Sequence, residues 1–146
     1  MTYRERYEQW LGASWLDEAS RRELAALSDE KEIEDRFYRD LEFGTAGMRG
    51  LMGAGTNRLN RYTVGKATLG LARYLKAEIA DWQRGVVIAY DSRNSSPEFA
   101  LETARVLSAC GVPAKIFRQL EPVPALSFAV KHHKAAAGVV ITASHN

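Results

Sequence analysis

A single cysteine, Cys110, stands in the whole sequence, so no disulfide forms within the chain and no metal centre is built from several thiolates. Cys110 lies in an apolar helical pattern and is expected to behave as a small buried hydrophobe. A free thiol of this kind fits a reducing, cytoplasmic setting, which is the expected location. No apolar run approaches the length of a membrane span, and Met1-Thr2-Tyr3-Arg4-Glu5 carries none of the apolar core of a secretory leader. A membrane partner is therefore not expected. Charge of one sign is also missing: 20 Lys and Arg face 18 Asp and Glu, for a net charge of +2. The basic residues are dispersed and form no stripe that would track a phosphate backbone, so nucleic acid is not an expected partner. Neither a P-loop nor a dinucleotide fingerprint occurs, which disfavours nucleotide binding.

What is present suits one globular domain. The chain has 146 residues, with 46% hydrophobic and 26% charged, enough apolar material for a core. The first forty residues read as helical. Tyr3, Tyr7, Trp10 and Leu11 recur at helical spacing, as do Leu24 with Leu27 and Ile33 with Phe37. Asp17 or Ser20 starts one helix and Ser28 or Asp29 the next. Residues 1–40 are thus expected to form a helical arm and 41–146 the domain proper.

Phe43 to Gly55 is too rich in glycine for a helix and reads as a strand entering a loop. A long helix is expected from Tyr62 to Ala80, with Val64, Thr68, Leu71, Leu75 and Ile79 on one stripe. Val86–Tyr90 is a β-branched run, hence a buried strand. Ser95-Ser96-Pro97-Glu98 opens a helix whose inner face carries Phe99, Thr103, Val106, Leu107 and Cys110, and Gly111 ends it. Ala114–Phe117 and Gly138–Thr142 are further strands, with a helix near 125–133 between them. Alternating strands and helices predict an α/β fold: a three-layer α/β/α domain with a mainly parallel sheet, preceded by the helical arm.

Ligands bind such sheets beyond the carboxyl ends of the strands. Two of those ends run into reactive residues. Ser144 and His145 follow the last strand, a hydroxyl beside a group that moves protons near neutral pH. By themselves such Ser-His pairs more often cap a helix or face solvent than carry chemistry. Gly44, Gly47 and Gly50 allow close backbone approach to a ligand, and Arg49 offers a fork suited to phosphate, or else a solvent-facing charge. Asp91 and Arg93 fit a supporting role at the end of their strand. His132 and His133 read as complements to a helix C-terminus. A serine hydrolase usually carries Gly-x-Ser-x-Gly, and the Thr-Ala-Ser-His-Asn flanks here disfavour it.

Taken together, Glu42-Phe43-Gly44-Thr45-Ala46-Gly47-Met48-Arg49-Gly50, Tyr90-Asp91-Ser92-Arg93, Pro122-Val123-Pro124 and Thr142-Ala143-Ser144-His145-Asn146 resemble the α-D-phosphohexomutase family (phosphoglucomutase and phosphomannomutase) in order and spacing. Glu32-Ile33-Glu34-Asp35-Arg36-Phe37-Tyr38 looks like the long branch that holds bacterial phosphoglucomutases and phosphopentomutase-like enzymes. The resemblance covers essentially the whole chain and makes residues 41–146 the family's first domain. It implies a phosphoryl shift between C1 and C6, or C5, of a hexose or pentose phosphate, through a phosphoserine and a sugar bisphosphate. Ser144 would carry the phosphate, His145 would handle the proton of the sugar hydroxyl, and Arg49, Thr45 and Asn146 would bind phosphate, supported by Asp91 and Arg93. Mg2+ would bind through the phosphate of Ser144. The family's metal loop, sugar-selecting loop and distal phosphate clamp lie downstream of the position of Asn146. The expected partners are thus a sugar phosphate and further domains of the same polypeptide, and the chain alone is expected to be inactive. The other reading is a non-catalytic phosphate-binding or structural domain.

Overall fold

The computed structural model describes residues 1–41, 43–44, 47–48, 50–90, 96–118 and 135–141. The chain divides into two compact units, with the boundary between Thr63 and Val64.

The first unit opens with three helices, α1 (Tyr3–Leu11), α2 (Glu18–Ala25) and α3 (Glu30–Phe37). Each begins where a side chain satisfies orphan backbone N–H groups. Thr2 and Glu5 form a reciprocal capping box, Asp17 accepts from Ser20 N, and Asp29 accepts from Lys31 N. Asp17 and Asp29 are two of the starts expected from the sequence. Tyr7, Trp10, Leu16, Leu24, Ile33 and Phe37 are buried together, with Ala54 of a later turn. Trp10 meets Phe37 and Tyr62 edge-on at 5.7 and 5.6 Å, an arrangement that adds to the stabilisation from area alone. The buried Tyr7 hydroxyl donates to Leu24 O at 2.9 Å. Two short antiparallel strands follow, β1 (Phe43–Gly44) and β2 (Gly47–Met48), with Phe43 opposite Met48 and Gly44 opposite Gly47. Where a strand entering a loop is expected, two short strands pair antiparallel.

Helix α4 (Arg61–Glu78) leads into the second unit, starting one residue earlier and ending two residues earlier than its apolar stripe predicts. Beyond a 3-10 turn at Trp82–Arg84 lie β3 (Val86–Tyr90), α5 (Ser96–Ala109), β4 (Ala114–Arg118) and β5 (Ala137–Ile141). The three strands are parallel, in the order β4-β3-β5. The central strand is an unbroken apolar run because both its faces are covered. Val86 and Ile88 join Ala72 and Leu75 of α4 and Ala100 and Leu107 of α5 in one core, while Val87 and Ala89 are buried on the opposite face beside Phe117, Ala135 and Val140. A parallel sheet with α4 and α5 packed on one face and its other face also buried is consistent with the α/β/α domain expected from the sequence. Helix α5 ends in a Schellman motif: Gly111 has φ 80°, its N–H donates to Ser108 O, and Val112 N donates to Leu107 O. Cys110 is half-buried against this core rather than fully enclosed, because it follows the last turn of α5. The expected helix near 125–133, with His132 and His133, lies outside the described residues.

Candidate functional site

Strand order decides which end of the sheet matters. From β3 the chain crosses through α5 to β4 on one side, whereas β5 lies on the other side of β3. The carboxyl ends of β3 and β5 are therefore where the order reverses, the position at which parallel α/β sheets take ligands. Tyr90 and Ile141 are register partners at those ends. The chain passes directly from Tyr90 to Asp91 and from Ile141 to Thr142, so the two strings Asp91-Ser92-Arg93 and Thr142-Ala143-Ser144-His145-Asn146 depart from neighbouring strands at one sheet edge. Asp91, Arg93, Ser144, His145 and Asn146 themselves lie outside the described residues.

In the first unit, Thr45 lies in the chain between β1 and β2, and Arg49 follows β2. Both are outside the described residues. The flanks of this stretch are defined. A Cβ placed on Gly50 would come within 2.8 Å of Leu41 Cδ1, so the two flanks meet side by side. Leu41 N donates to Thr56 O at 2.8 Å, and Leu59 N to Leu51 O at 2.8 Å. Asn60 closes the turn between them. Its Nδ2 donates to Gly53 O and Gly55 O, both at 2.9 Å, while its Oδ1 accepts from Tyr62 N and Thr63 N at the start of α4.

Charge is concentrated behind that turn. Arg36 Nη1 is 2.6 Å from Glu23 Oε2, and its Nε is 3.0 Å from Glu32 Oε1. Arg58, only 4% exposed, pairs with Asp35 at 2.7 Å and Glu32 at 3.5 Å. Burial alone would lower the pKa of Arg36, but the hydrogen bonds and charges of Glu23 and Glu32 outweigh it and raise the value. Asp17 shows the mirror case. Burial would raise its pKa, yet hydrogen bonds from the Ser20 side chain and backbone and from the Tyr62 hydroxyl hold it below the usual carboxylate value.

The family model for phosphoglucomutase/phosphomannomutase, alpha/beta/alpha domain I, matches residues 40–146. The chain belongs to the phosphoglucomutase/phosphomannomutase family. It is 40% identical to a phosphopentomutase of Mus musculus over 94% of its own length and 24% of that protein. It is 43% identical to a phosphoglucomutase of Staphylococcus epidermidis, covering 90% of this chain and 24% of the relative. A glucose 1,6-bisphosphate synthase of Mus musculus is 44% identical over 80% of this chain and 20% of its own length. The chain thus spans about a quarter of the length of the curated relatives it matches. No solved structure matches it significantly.

The polar cluster at the turn, built by Glu23, Arg36, Asn57, Arg58 and Asn60, is not expected from the sequence, where only Arg36 is singled out, as part of the Glu32–Tyr38 string. Beyond the Glu32–Arg36 pair at helical spacing they show no period, and charged residues in a helical arm read as a solvated face. The one signal available was the Gly53-Ala54-Gly55 triplet, which asks for close backbone approach. Among the described residues no three His, Cys, Asp or Glu side chains stand together so as to hold a metal ion. Among them, too, no helix is long and apolar enough to cross a membrane.

Proposed function

We propose that this chain is the phosphoserine-bearing first domain of a phosphosugar mutase, with residues 1–40 as a helical arm and 41–146 as the domain. The observation that carries this reading is the shared sheet edge. The strings that contain Asp91 and Ser144 leave register-paired Tyr90 and Ile141 at the point of strand reversal, within the stretch matched by the family's first domain.

In this reading the phosphoryl group on Ser144 passes to a hydroxyl of a hexose or pentose phosphate. The Oγ–P bond breaks, a sugar O–P bond forms, and the resulting bisphosphate returns its other phosphoryl group to the serine. His145 takes the proton that the sugar hydroxyl releases and restores one to the serine oxygen. Arg49 grips the phosphate on Ser144 through its fork, and Thr45 and Asn146 add hydrogen bonds. Asp91 and Arg93 hold the loops in place. Mg2+, which membership of the family suggests, would offset negative charge as the phosphoryl group moves. No described residue is assigned to it. The proposed setting is the cytoplasm.

A second reading is a non-catalytic phosphate-binding or structural domain. The chain spans about a quarter of the length of the relatives named above, all of them mutases or a bisphosphate synthase by name. The test uses the full-length polypeptide, its Ser144→Ala variant and a panel of glucose, mannose and ribose 1-phosphates with glucose 1,6-bisphosphate. Wild type should isomerise at least one of them, and Ser144→Ala should lose that rate. If wild type converts none, the mutase reading fails; an undiminished Ser144→Ala removes the serine from the mechanism.

A further inference from the structure

The helical arm does more than cover apolar surface. Its charged residues grip one turn of backbone, residues 53–58. Glu23 Oε2, on α2, accepts from Ala54 N at 3.1 Å and from Arg36 Nη1 at 2.6 Å. The same Nη1, on α3, donates to Ala54 O at 3.0 Å. Both polar backbone groups of the buried Ala54 are thus served by one ion pair from the arm. The flanking glycines make room for it. At Gly53, φ 149°, a Cβ would come within 2.9 Å of Glu23 Oε2 and 3.1 Å of Arg36 Nη1. At Gly55, φ 131°, it would come within 2.8 Å of Arg36 O. The grip continues past the glycines. Asn57 N donates to Arg36 O at 2.9 Å, and Asn57 Nδ2 to Asp35 O at 2.9 Å. Arg39 Nε donates to Asn57 Oδ1 at 3.1 Å.

This turn anchors both flanks of the glycine-rich motif. Leu41 enters the motif hydrogen-bonded to Thr56 O, and Leu51 leaves it hydrogen-bonded to Leu59 N. The motif runs between Leu41 and Leu51, so both of its ends are held by bonds to residues 56 and 59. We propose that the Glu23–Arg36 pair is a positioning device that fixes the base of the motif and thereby the placement of Arg49 during phosphoryl transfer. The proposal rests on the reading above in which Arg49 grips the phosphate on Ser144. Arg36 is a positioning residue and touches no reacting atom. Small misplacements of a gripping group cost about 100-fold in rate, which sets the scale of the expected effect.

The test is a single turnover in the full-length polypeptide. Wild type, Arg36→Ala, Arg36→Lys and Glu23→Gln are loaded on Ser144 with glucose 1,6-bisphosphate and then chased with glucose 1-phosphate. Loss of phosphate from the serine is followed by rapid quench and mass spectrometry. Leu11→Ala is the control, since Leu11 packs on the core of the same unit. An unfolded fraction lowers the amplitude of such a transient, whereas a misplaced grip lowers its rate constant. Arg36→Ala should slow the rate constant about 10- to 100-fold. Arg36→Lys should recover part of the loss, because a lysine keeps one charged donor but lacks the fork that serves Glu23, Glu32 and Ala54 O together. Leu11→Ala should lower the amplitude alone. Should Arg36→Ala fail to fold, Arg36→Lys and Glu23→Gln, which keep the side-chain bulk, decide the matter. A wild-type rate constant in these variants, or equal slowing in Leu11→Ala, overturns the positioning role. Absence of phosphate on Ser144 in wild type instead overturns the underlying reading together with it.

Discussion

At the residue scale, the polar side chains that hold the fold together each serve more than one backbone segment. Asp17 caps α2 and also accepts from the Tyr62 hydroxyl at 2.9 Å, tying α2 to the start of α4. Its pKa is held low in the folded protein, so its contribution is present above the ordinary carboxylate value and is lost as pH falls through the folded value. Asp17→Asn should therefore lower the melting temperature at pH 7, and the gap to wild type should close below about pH 4. A gap that stays constant from pH 7 to pH 3 would show that the charge contributes nothing. Asn60 makes the second test. Asn60→Ala loses the cap of α4 and both donors to the Gly53–Gly55 turn, which should cost about 2 kcal/mol in urea unfolding. Asn60→Asp keeps the cap but not the donors, and should fall between wild type and the alanine variant.

Legibility at this scale was uneven. Asp17 and Asp29 were readable as helix starts because a capping side chain must precede the first turn. Asn60 announces itself far less, since its role depends on carbonyls at Gly53 and Gly55 that only the folded turn brings together. Arg36 and Arg58 read as ordinary members of a solvated helical face and turn. Apart from the Arg36–Glu32 pair one helical turn apart, the partners lie far off in sequence, Glu23 13 residues from Arg36 and Asp35 23 from Arg58, which leaves no periodic trace. The proposed reacting residues were readable through their string and its place after a strand, not through any contact.

At the element scale, the apolar runs predicted β3, β4 and β5 to within a residue or so. Only β3 is buried along nearly its whole length, whereas β4 carries Lys115 and Arg118 and is mostly exposed. The hairpin of β1 and β2 was less plain, since two-residue strands carry no alternation. Glycines separate the elements that tolerate change from those that do not. Gly70 lies exposed within α4, and a Cβ there meets nothing within 4 Å. Gly70→Ala should stabilise the protein by about 0.5–1 kcal/mol, because alanine loses less backbone freedom on entering a helix. Gly85 leads into β3 with φ 84°, and a Cβ there would press to within 2.9 Å of Pro113 Cβ and closer still to Pro113 O. That carbonyl accepts from Val86 N at 2.8 Å, where β3 begins. Gly85→Ala should destabilise by about 2 kcal/mol or more, from strained backbone and lost strand pairing. Opposite shifts in denaturation midpoint check the pair, and equal shifts would contradict it.

At the scale of the whole molecule, a three-stranded parallel sheet forms the core of one unit, and three capped helices with the turn at residues 53–58 form the other. Phosphoryl transfer needs the metal, a grip on the distal phosphate and exclusion of water acting together. With about a quarter of its relatives' length, the isolated 146-residue chain should show no mutase rate above buffer in a coupled assay with Mg2+ and glucose 1,6-bisphosphate. The most direct measurement of the central claim is the site of phosphorylation itself. The full-length polypeptide is incubated with glucose 1,6-bisphosphate, digested and mapped by mass spectrometry. Phosphate on the peptide that contains Ser144, absent in Ser144→Ala, is the expected result. Phosphate confined to Ser92, Ser95 or Ser96, or to no serine at all, would contradict it.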